Sequence, residues 1–384
     1  MSEDGKIPGD SGTQGVSPEI KNLIRNPDKY KDYLLQLMVD NDSSDMYLTC
    51  NEPPCIRIYD KVYRVNQLPK LDAENLTELA YMFMDELEGE QFRENLDIDL
   101  GHGYNGRRFR INISKQQKAI MIVFRLLAGK IPTCDDLHLP EIFRTLVTRK
   151  SGIILVAGPT GSGKSTTLAA MIEEVNRQFQ KHIVTIEDPI EYVFTPQQSV
   201  IEQKQLGSDI LSFSRALRAA LRQKPDVILF GEMRDLESIQ NAVTLAETGH
   251  LVLSTIHSKS SAQTVNKIID SFPSDAQNQI RIQLSETLAA VISQRLCRKK
   301  SGKGMVAAHE IMINNTAIGN LIRENQIKQI NNIIQTSRGT GMQLLEENLI
   351  ELVENGTVDL DVATATANNP GYIISEVKNR GIIV

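Results

Sequence analysis

The apolar positions of this chain change period near its middle. Residues 28–128 mix helical spacing with short alternating runs. Tyr30, Leu34, Leu35 and Met38 fall on one face of a helix predicted over 27–39. Residues 45–49 and 56–59 alternate or run apolar around Asn51, Pro53 and Pro54, which predicts two strands. A helix is expected over 73–92, then strands over 97–100, 108–113 and 120–127, with 101–106 as a turn cluster. This is an α+β pattern. Residues 131–140 carry Pro132 and Pro140 and read as a connector.

Beyond residue 141 the pattern is strand, helix, strand. Runs at 153–157, 182–186, 226–230 and 251–256 are β-rich and apolar, separated by helical or loop stretches, which predicts a parallel sheet covered by helices. In one of those helices Phe213, Leu217 and Leu221 recur every four residues, with Arg215, Arg218 and Arg222 on other faces. From 262 onward helices are expected over 262–270, 275–294, 316–323, 327–336, 342–355 and 359–365. Residues 298–304 read as a solvated basic turn. Residues 368–384 carry no readable pattern. The expected organisation is a disordered tail over 1–27, a first domain over 28–128, a linker over 129–140, a second domain with C-terminal helices over 141–358, and an extension over 359–384.

Composition narrows the classes. Of 384 residues, 41% are hydrophobic and the net charge is −6. The acidic balance speaks against a general phosphate-backbone binder, so no nucleic acid is expected. Cys50, Cys55, Cys134 and Cys297 have no metal-ligand spacing, so no zinc is expected. No apolar run approaches the roughly 18 residues of a membrane span, and no signal peptide is read at the start. The expectation is a cytoplasmic protein.

The chemistry centres on Gly158-Pro159-Thr160-Gly161-Ser162-Gly163-Lys164-Ser165, followed by Thr166. The spacing is that of a phosphate-binding loop, and it stands between a predicted strand and a predicted helix, as that motif requires. Small residues let successive backbone N–H groups turn inward on clustered negative charge. The helix directs its positive end at the same point. Lys164 is expected to reach the β- and γ-phosphates of ATP, and Ser165 to ligate Mg²⁺.

In an open parallel sheet, ligands bind outside the carboxyl ends of the strands. Those ends deliver the loop, then Glu187-Asp188-Pro189 with Glu191, then Gly231-Glu232 with Arg234-Asp235, then His257. Glu232 could hold the Mg²⁺ shell through water while Glu187 orients the attacking water, and the two roles could be exchanged. His257 could sense the γ-phosphate or bridge to a neighbouring subunit, and His250 is a further candidate. The arginine that a P-loop hydrolase brings to the γ-phosphate could come from Arg215, Arg218, Arg222 or Arg234, or from Arg108, Arg110 or Arg125 of a neighbouring subunit.

At these residues the chain resembles the type IV pilus retraction ATPases of the PilT/PilU type, within the secretion ATPase superfamily. Residues 158–166 resemble the family's Walker A motif, 185–192 its Asp box, 221–235 its Walker B segment and 247–257 its His box. Residues 44–49 and 106–110 resemble its PAS-like N-terminal domain. The likeness runs from about 32 to 358. It implies a RecA-like P-loop NTPase core, an N-terminal PAS-like α+β domain and a helical C-terminal region. It implies a homo-hexamer that hydrolyses ATP to remove pilin subunits, acting peripherally at the inner membrane through a platform protein. Glu187 would be the catalytic glutamate, Glu232 the Walker B acid and His250 with His257 the His-box pair, and Arg110 and Arg125 fall where the family carries nucleotide-facing arginines. Lys224 stands where family members often have Asp or Ala, and Lys118 where many carry Arg. Residues 317–325 follow the family's AIRAGE-type motif only in part. The connector and C-terminal extension lean toward PilU-like members, which act beside a PilT-like paralogue. An accessory ring and an assembly or secretion ATPase are the alternatives. The latter typically carry a C-x-x-C…C-x-x-C zinc insert that this chain lacks.

Overall fold

The computed structural model describes residues 26–58, 61–127 and 129–382; residues 1–25 of the expected tail lie outside them. The chain divides into two compact units. One comprises the residues up to Lys130 together with Pro189–Tyr192, the other residues 131–188 and 193–384. The expected linker, 129–140, is thus shared between them, and Cys134 is buried in the second unit with its thiol on the Ala170 carbonyl.

The first unit opens with α1 (Pro27–Asp40). Asn26 caps it, accepting from the Lys29 N–H, and Pro27 sits at the start, where its missing N–H costs nothing. Strands β1 (Asp45–Leu48), β2 (Cys55–Ile58) and β3 (Lys61–Arg64) follow. The single helix expected over 73–92 is two helices, α2 (Ala73–Tyr81) and α3 (Glu86–Asn95). The break has a local cause. Asp85 accepts from the Glu88 N–H while Glu88 accepts from the Asp85 N–H, a capping box that starts a new helix.

Then come β4 (Asp97–Tyr104), β5 (Arg107–Gln116) and β6 (Ala119–Leu126). The expected turn cluster at 101–106 is mostly strand. Only Asn105 and Gly106 turn, both at positive φ, as a two-residue hairpin requires. The sheet order is β3-β2-β1-β6-β5-β4, with neighbours antiparallel. Its apolar face, including Met46, Ile56, Phe109, Ile111, Ile122 and Phe124, is buried in one core with α1, α2 and α3 residues such as Leu34, Leu76 and Phe92.

The second unit starts with the short α4 (Ile142–Val147). Its parallel strands are β7 (Gly152–Ala157), β8 (His182–Glu187), β9 (Val200–Gln205), β10 (Val227–Glu232) and β11 (Leu251–Ile256). Helices α5 (Lys164–Gln178), α6 (Phe213–Gln223), α7 (Leu236–Glu247), α8 (Ser261–Asp270) and α9 (Gln277–Thr287) are interleaved with them. The helix expected over 275–294 ends at Thr287. Residues 288–298 are instead a strand, β12 (Leu288–Arg298), which pairs antiparallel with β13 (Met305–Ile313). Leu288 through Gln294 are buried without interruption. A strand apolar on both faces has no period to distinguish it from a buried helix. The basic stretch 298–304 is the turn of this hairpin.

The sheet order is β13-β12-β7-β11-β10-β8-β9. One face packs under α6, α7, α8 and α9 through Leu155, Ile186, Ile228, Phe230 and Val252. Helix α5 lies against β7, β10 and β11. The chain closes with α10 (Thr316–Arg323), α11 (Ile330–Thr336), α12 (Leu345–Glu354), α13 (Leu360–Thr366) and α14 (Pro370–Asn379). The last of these occupies the stretch with no readable pattern. Its cap is Asn369, which accepts from the Tyr372 N–H.

Candidate nucleotide site

Strand β7 lies near the middle of its sheet. The next strand in sequence, β8, lies three positions away, with β11 and β10 between them. The loop leaving β7 therefore opens at a point where strand order reverses, where such sheets bind ligands. Gly158, Gly161 and Gly163 have φ of 155°, 76° and 82°. A Cβ on Gly158 would lie 2.5 Å from the Gln294 carbonyl, whereas one on Gly161 would meet nothing within 4 Å. The loop is closed toward the protein at its base and open at its crown, which suits a phosphate cradle. Lys164 is 9% exposed, and its ammonium donates to the carbonyls of Gly158 and Pro159 at 3.0 and 2.8 Å. Pro159, Thr160 and Ser165 are exposed, Ser162 is buried and Thr166 is partly exposed.

The other candidates are ranked by strand order. Next to β7 is β11, which His257 follows. Next is β10, which ends at Glu232, and then β8, which ends at Glu187. With strands about 4.8 Å apart, Glu187 springs from a strand about 14 Å from the loop's own. Glu232 is the nearer acid. A one-residue register shift brings it to the rim. Phe230 pairs with Ser254, but Glu232 pairs with Thr255, leaving Gly231 as a bulge. Strict alternation would put Glu232 on the face of Ile228 and Phe230, inside the core. The bulge moves it to the other face. Thr255 Oγ1 donates to the Gly231 carbonyl at 2.8 Å and fixes the distortion.

Glu232 then meets two partners. His257 Nε2 is 3.2 Å from its Oε1, and Arg234 Nε donates to Oε2 at 2.8 Å. Burial and then the positive Lys164 hold His257 below the ordinary histidine pKa, against the upward pull of Glu232. A neutral imidazole donating Nε2–H to the Glu232 carboxylate fits that environment. Lys267 donates to the His257 carbonyl at 2.8 Å and fixes the backbone there. Glu187 accepts from Thr185 Oγ1 at 2.6 Å and from Gln203 Nε2 at 3.3 Å.

One candidate, His250, does not come to this rim, and others have partners of their own. His250 precedes β11, at the end opposite His257, about 23 Å away along an extended strand. There its Nδ1 lies 2.9 Å from the Leu245 carbonyl, at the end of α7. Asp235 caps α7 through the Ser238 N–H at 2.8 Å. Arg215 is on α6, and Arg218 of that helix lies 3.5 Å from Glu237. Arg110 and Arg125 belong to the first unit, paired across β5 and β6. Arg110 donates to Asp99 at 2.7 Å and Arg125 to Asp45 at 2.9 Å.

Reading the sequence missed Thr185, Gln203 and Gln294. Thr185 stands two residues before Glu187 and so shares its face, a signal that was legible. Gln203 is on a strand that was not read. Gln294 was placed at the end of a helix.

Residues 135–368 match the family described as Type II/IV secretion system protein. The type IV pilus retraction ATPase PilT of Pseudomonas aeruginosa is 44% identical over 338 residues, covering 88% of this chain and 98% of that protein. The type IV pilus ATPase PilU of the same organism is 36% identical over 337 residues, 88% of each. A crystal structure of the pilus retraction motor PilT with bound ADP superposes with a TM-score of 0.83 at 41% identity, over 90% of this chain and 98% of that one. The chain belongs to the type II/IV secretion system proteins, among the PilT/PilU-type ATPases.

Proposed function

We propose that this chain is a homo-hexameric motor that hydrolyses ATP to drive type IV pilus retraction and twitching motility. The observation that carries the reading is the convergence of the loop, Lys164, Glu232 and His257 on one rim of a chain that matches PilT over nearly the whole of PilT's length. In the proposed reaction, the N–H groups of residues 161–166 and the Lys164 ammonium hold the phosphates. Lys164 leaves its two loop carbonyls to do so. The open crown at Gly161 and the exposed Ser165 at the start of α5 fit Mg²⁺, which Ser165 would hold and Glu232 would reach through water. Bound there, Mg²⁺ would supply positive charge against the negative charge developing on the γ-phosphate. Glu187, held by Thr185 and Gln203, orients the attacking water. His257 reports on the γ-phosphate through its hydrogen bond to Glu232. Arg110 and Arg125 supply positive charge from a neighbouring subunit.

Among the described residues no helix is long and apolar enough to cross a membrane. The motor would act at the inner membrane through a platform protein. The match to PilU over most of both chains favours one second reading, an accessory ATPase that works beside a PilT-like paralogue.

The test is ATPase rate against protein concentration, with particle size measured in parallel. A rate per subunit that rises as hexamers form supports a composite site and a self-sufficient motor. A hexamer with almost no turnover supports the accessory reading. Turnover that is unchanged in a pure monomer overturns the composite site.

A further inference from the structure

The phosphate loop is held from behind by one side chain of a neighbouring strand. β12 runs parallel to β7, with Ser293 opposite Ala157, so residue 294 lies alongside the start of the loop. Gln294 is 2% exposed. Its Nε2 donates to the Ser162 carbonyl at 2.6 Å, and its Oε1 accepts from Thr167 Oγ1 at 2.7 Å. A carbonyl only accepts, so the nitrogen end of the amide must face Ser162, and the oxygen end is left for the Thr167 hydroxyl. A Cβ on Gly163 would lie 2.9 Å from Gln294 Nε2. One glutamine therefore ties the loop to the helix that follows it.

The consequence lies in the peptide between Ser162 and Gly163. In a trans peptide the C=O and the N–H point in opposite directions. With the Ser162 carbonyl drawn back onto Gln294, the Gly163 N–H faces away from Gln294, as an anion nest needs. We propose that Gln294 is a positioning residue for nucleotide binding: it sets the Gly163 N–H toward the phosphates by holding the Ser162 carbonyl. Glutamine suits the task because it offers a donor and an acceptor from one rigid group. Glutamate would set an oxygen against an oxygen, and methionine would offer neither.

The proposal rests on residues 158–166 being the nucleotide site, so Lys164→Ala is measured alongside. The experiment uses the full chain, a fluorescent ADP analogue for affinity, steady-state ATPase kinetics, and the melting temperature without nucleotide. Gln294→Met is expected to weaken ADP analogue binding and raise the ATP KM by about tenfold, the worth of one well-placed hydrogen bond, with kcat changed less than about twofold. Gln294→Glu should be worse than Gln294→Met. Thr167→Val, which frees the amide without altering it, should move the same two constants by roughly threefold. It decides the matter by itself if neither Gln294 variant folds.

A lowered melting temperature with unchanged affinity and KM would reduce Gln294 to a structural brace and overturn the proposal. If Lys164→Ala abolishes binding while the Gln294 and Thr167 variants keep it, this proposal alone falls. If Lys164→Ala also binds normally, the nucleotide site itself is misplaced and the proposal falls with it.

Discussion

His257 Nε2 stands 3.2 Å from Glu232 Oε1, joining the ends of two adjacent strands beside the phosphate loop. The histidine's pKa is lowered by burial first and by Lys164 next. In the nucleotide-free protein the His257 ring resonance should titrate below the ordinary histidine value of about 6.5. Bound nucleotide should raise that midpoint, because phosphate charge favours the imidazolium. The linkage sign follows. With the folded value below the unfolded one, stability is complete above the unfolded pKa and declines as pH falls through it toward the folded value. A midpoint at or above 6.5 in the free protein would contradict the geometry.

The two acids separate in a pair of isosteric variants. Glu187→Gln should bind ATP with affinity within about threefold of the parent while kcat falls at least about a hundredfold, the usual worth of a water-orienting base. Glu232→Gln should lose Mg²⁺-dependent affinity as well, because Glu232 is the acid nearer the loop. Hydrolysis at the parent rate by Glu187→Gln would remove the water-orienting role from that residue.

Lys164→Ala should abolish binding of the fluorescent ADP analogue and leave the far-ultraviolet circular dichroism unchanged. Gly158→Ala should act differently. Its new methyl would press on the Gln294 carbonyl at a φ of 155°, so nucleotide binding and the melting temperature should fall together. Retained ATPase activity in Gly158→Ala would show that β12 yields more readily than its burial implies.

Glu347 gives a prediction far from the loop. Its side chain is 4% exposed and accepts from Tyr372 at 2.6 Å, from Arg380 at 2.8 Å and from Arg338. Burial alone would raise its pKa, but those hydrogen bonds outweigh burial and hold it below the carboxylate norm. The carboxylate therefore secures α14 above the ordinary carboxylate range and releases it as pH falls through the lower folded value. In Glu347→Ala, amide exchange in residues 370–379 should quicken by roughly a hundredfold at pH 7, since a broken buried pair costs about 3 kcal/mol. Unchanged exchange would mean that apolar contacts such as Ile373 suffice.

What the sequence disclosed follows from how local each signal is. The phosphate loop was legible because its glycines, lysine and flanking elements lie in one continuous stretch, 152–178. Glu232 and His257 were legible because each ends an apolar β-rich run. Gln294 was not, because its meaning depends on β12 lying beside β7, a pairing across more than 130 residues that no local period reports. The edge strand β9 was missed for a related reason. Val200 is exposed and only Gln205 is fully buried, so its residues show no apolar face. The two acids were both found, but their distances from the loop depend on strand order, which composition and spacing do not contain.

The bulge at Gly231 works as a frame marker for its strand. Were the bulge flattened so that Gly231 paired with Thr255, plain alternation would carry Glu232 into the face shared by Ile228 and Phe230 and leave Met233 on the rim face. The polypeptide would still hold every chemical group of the parent. It would nevertheless set a thioether where the carboxylate belongs, so a motor of this kind is open to silencing by a shift of phase, with no change in the identity of any residue.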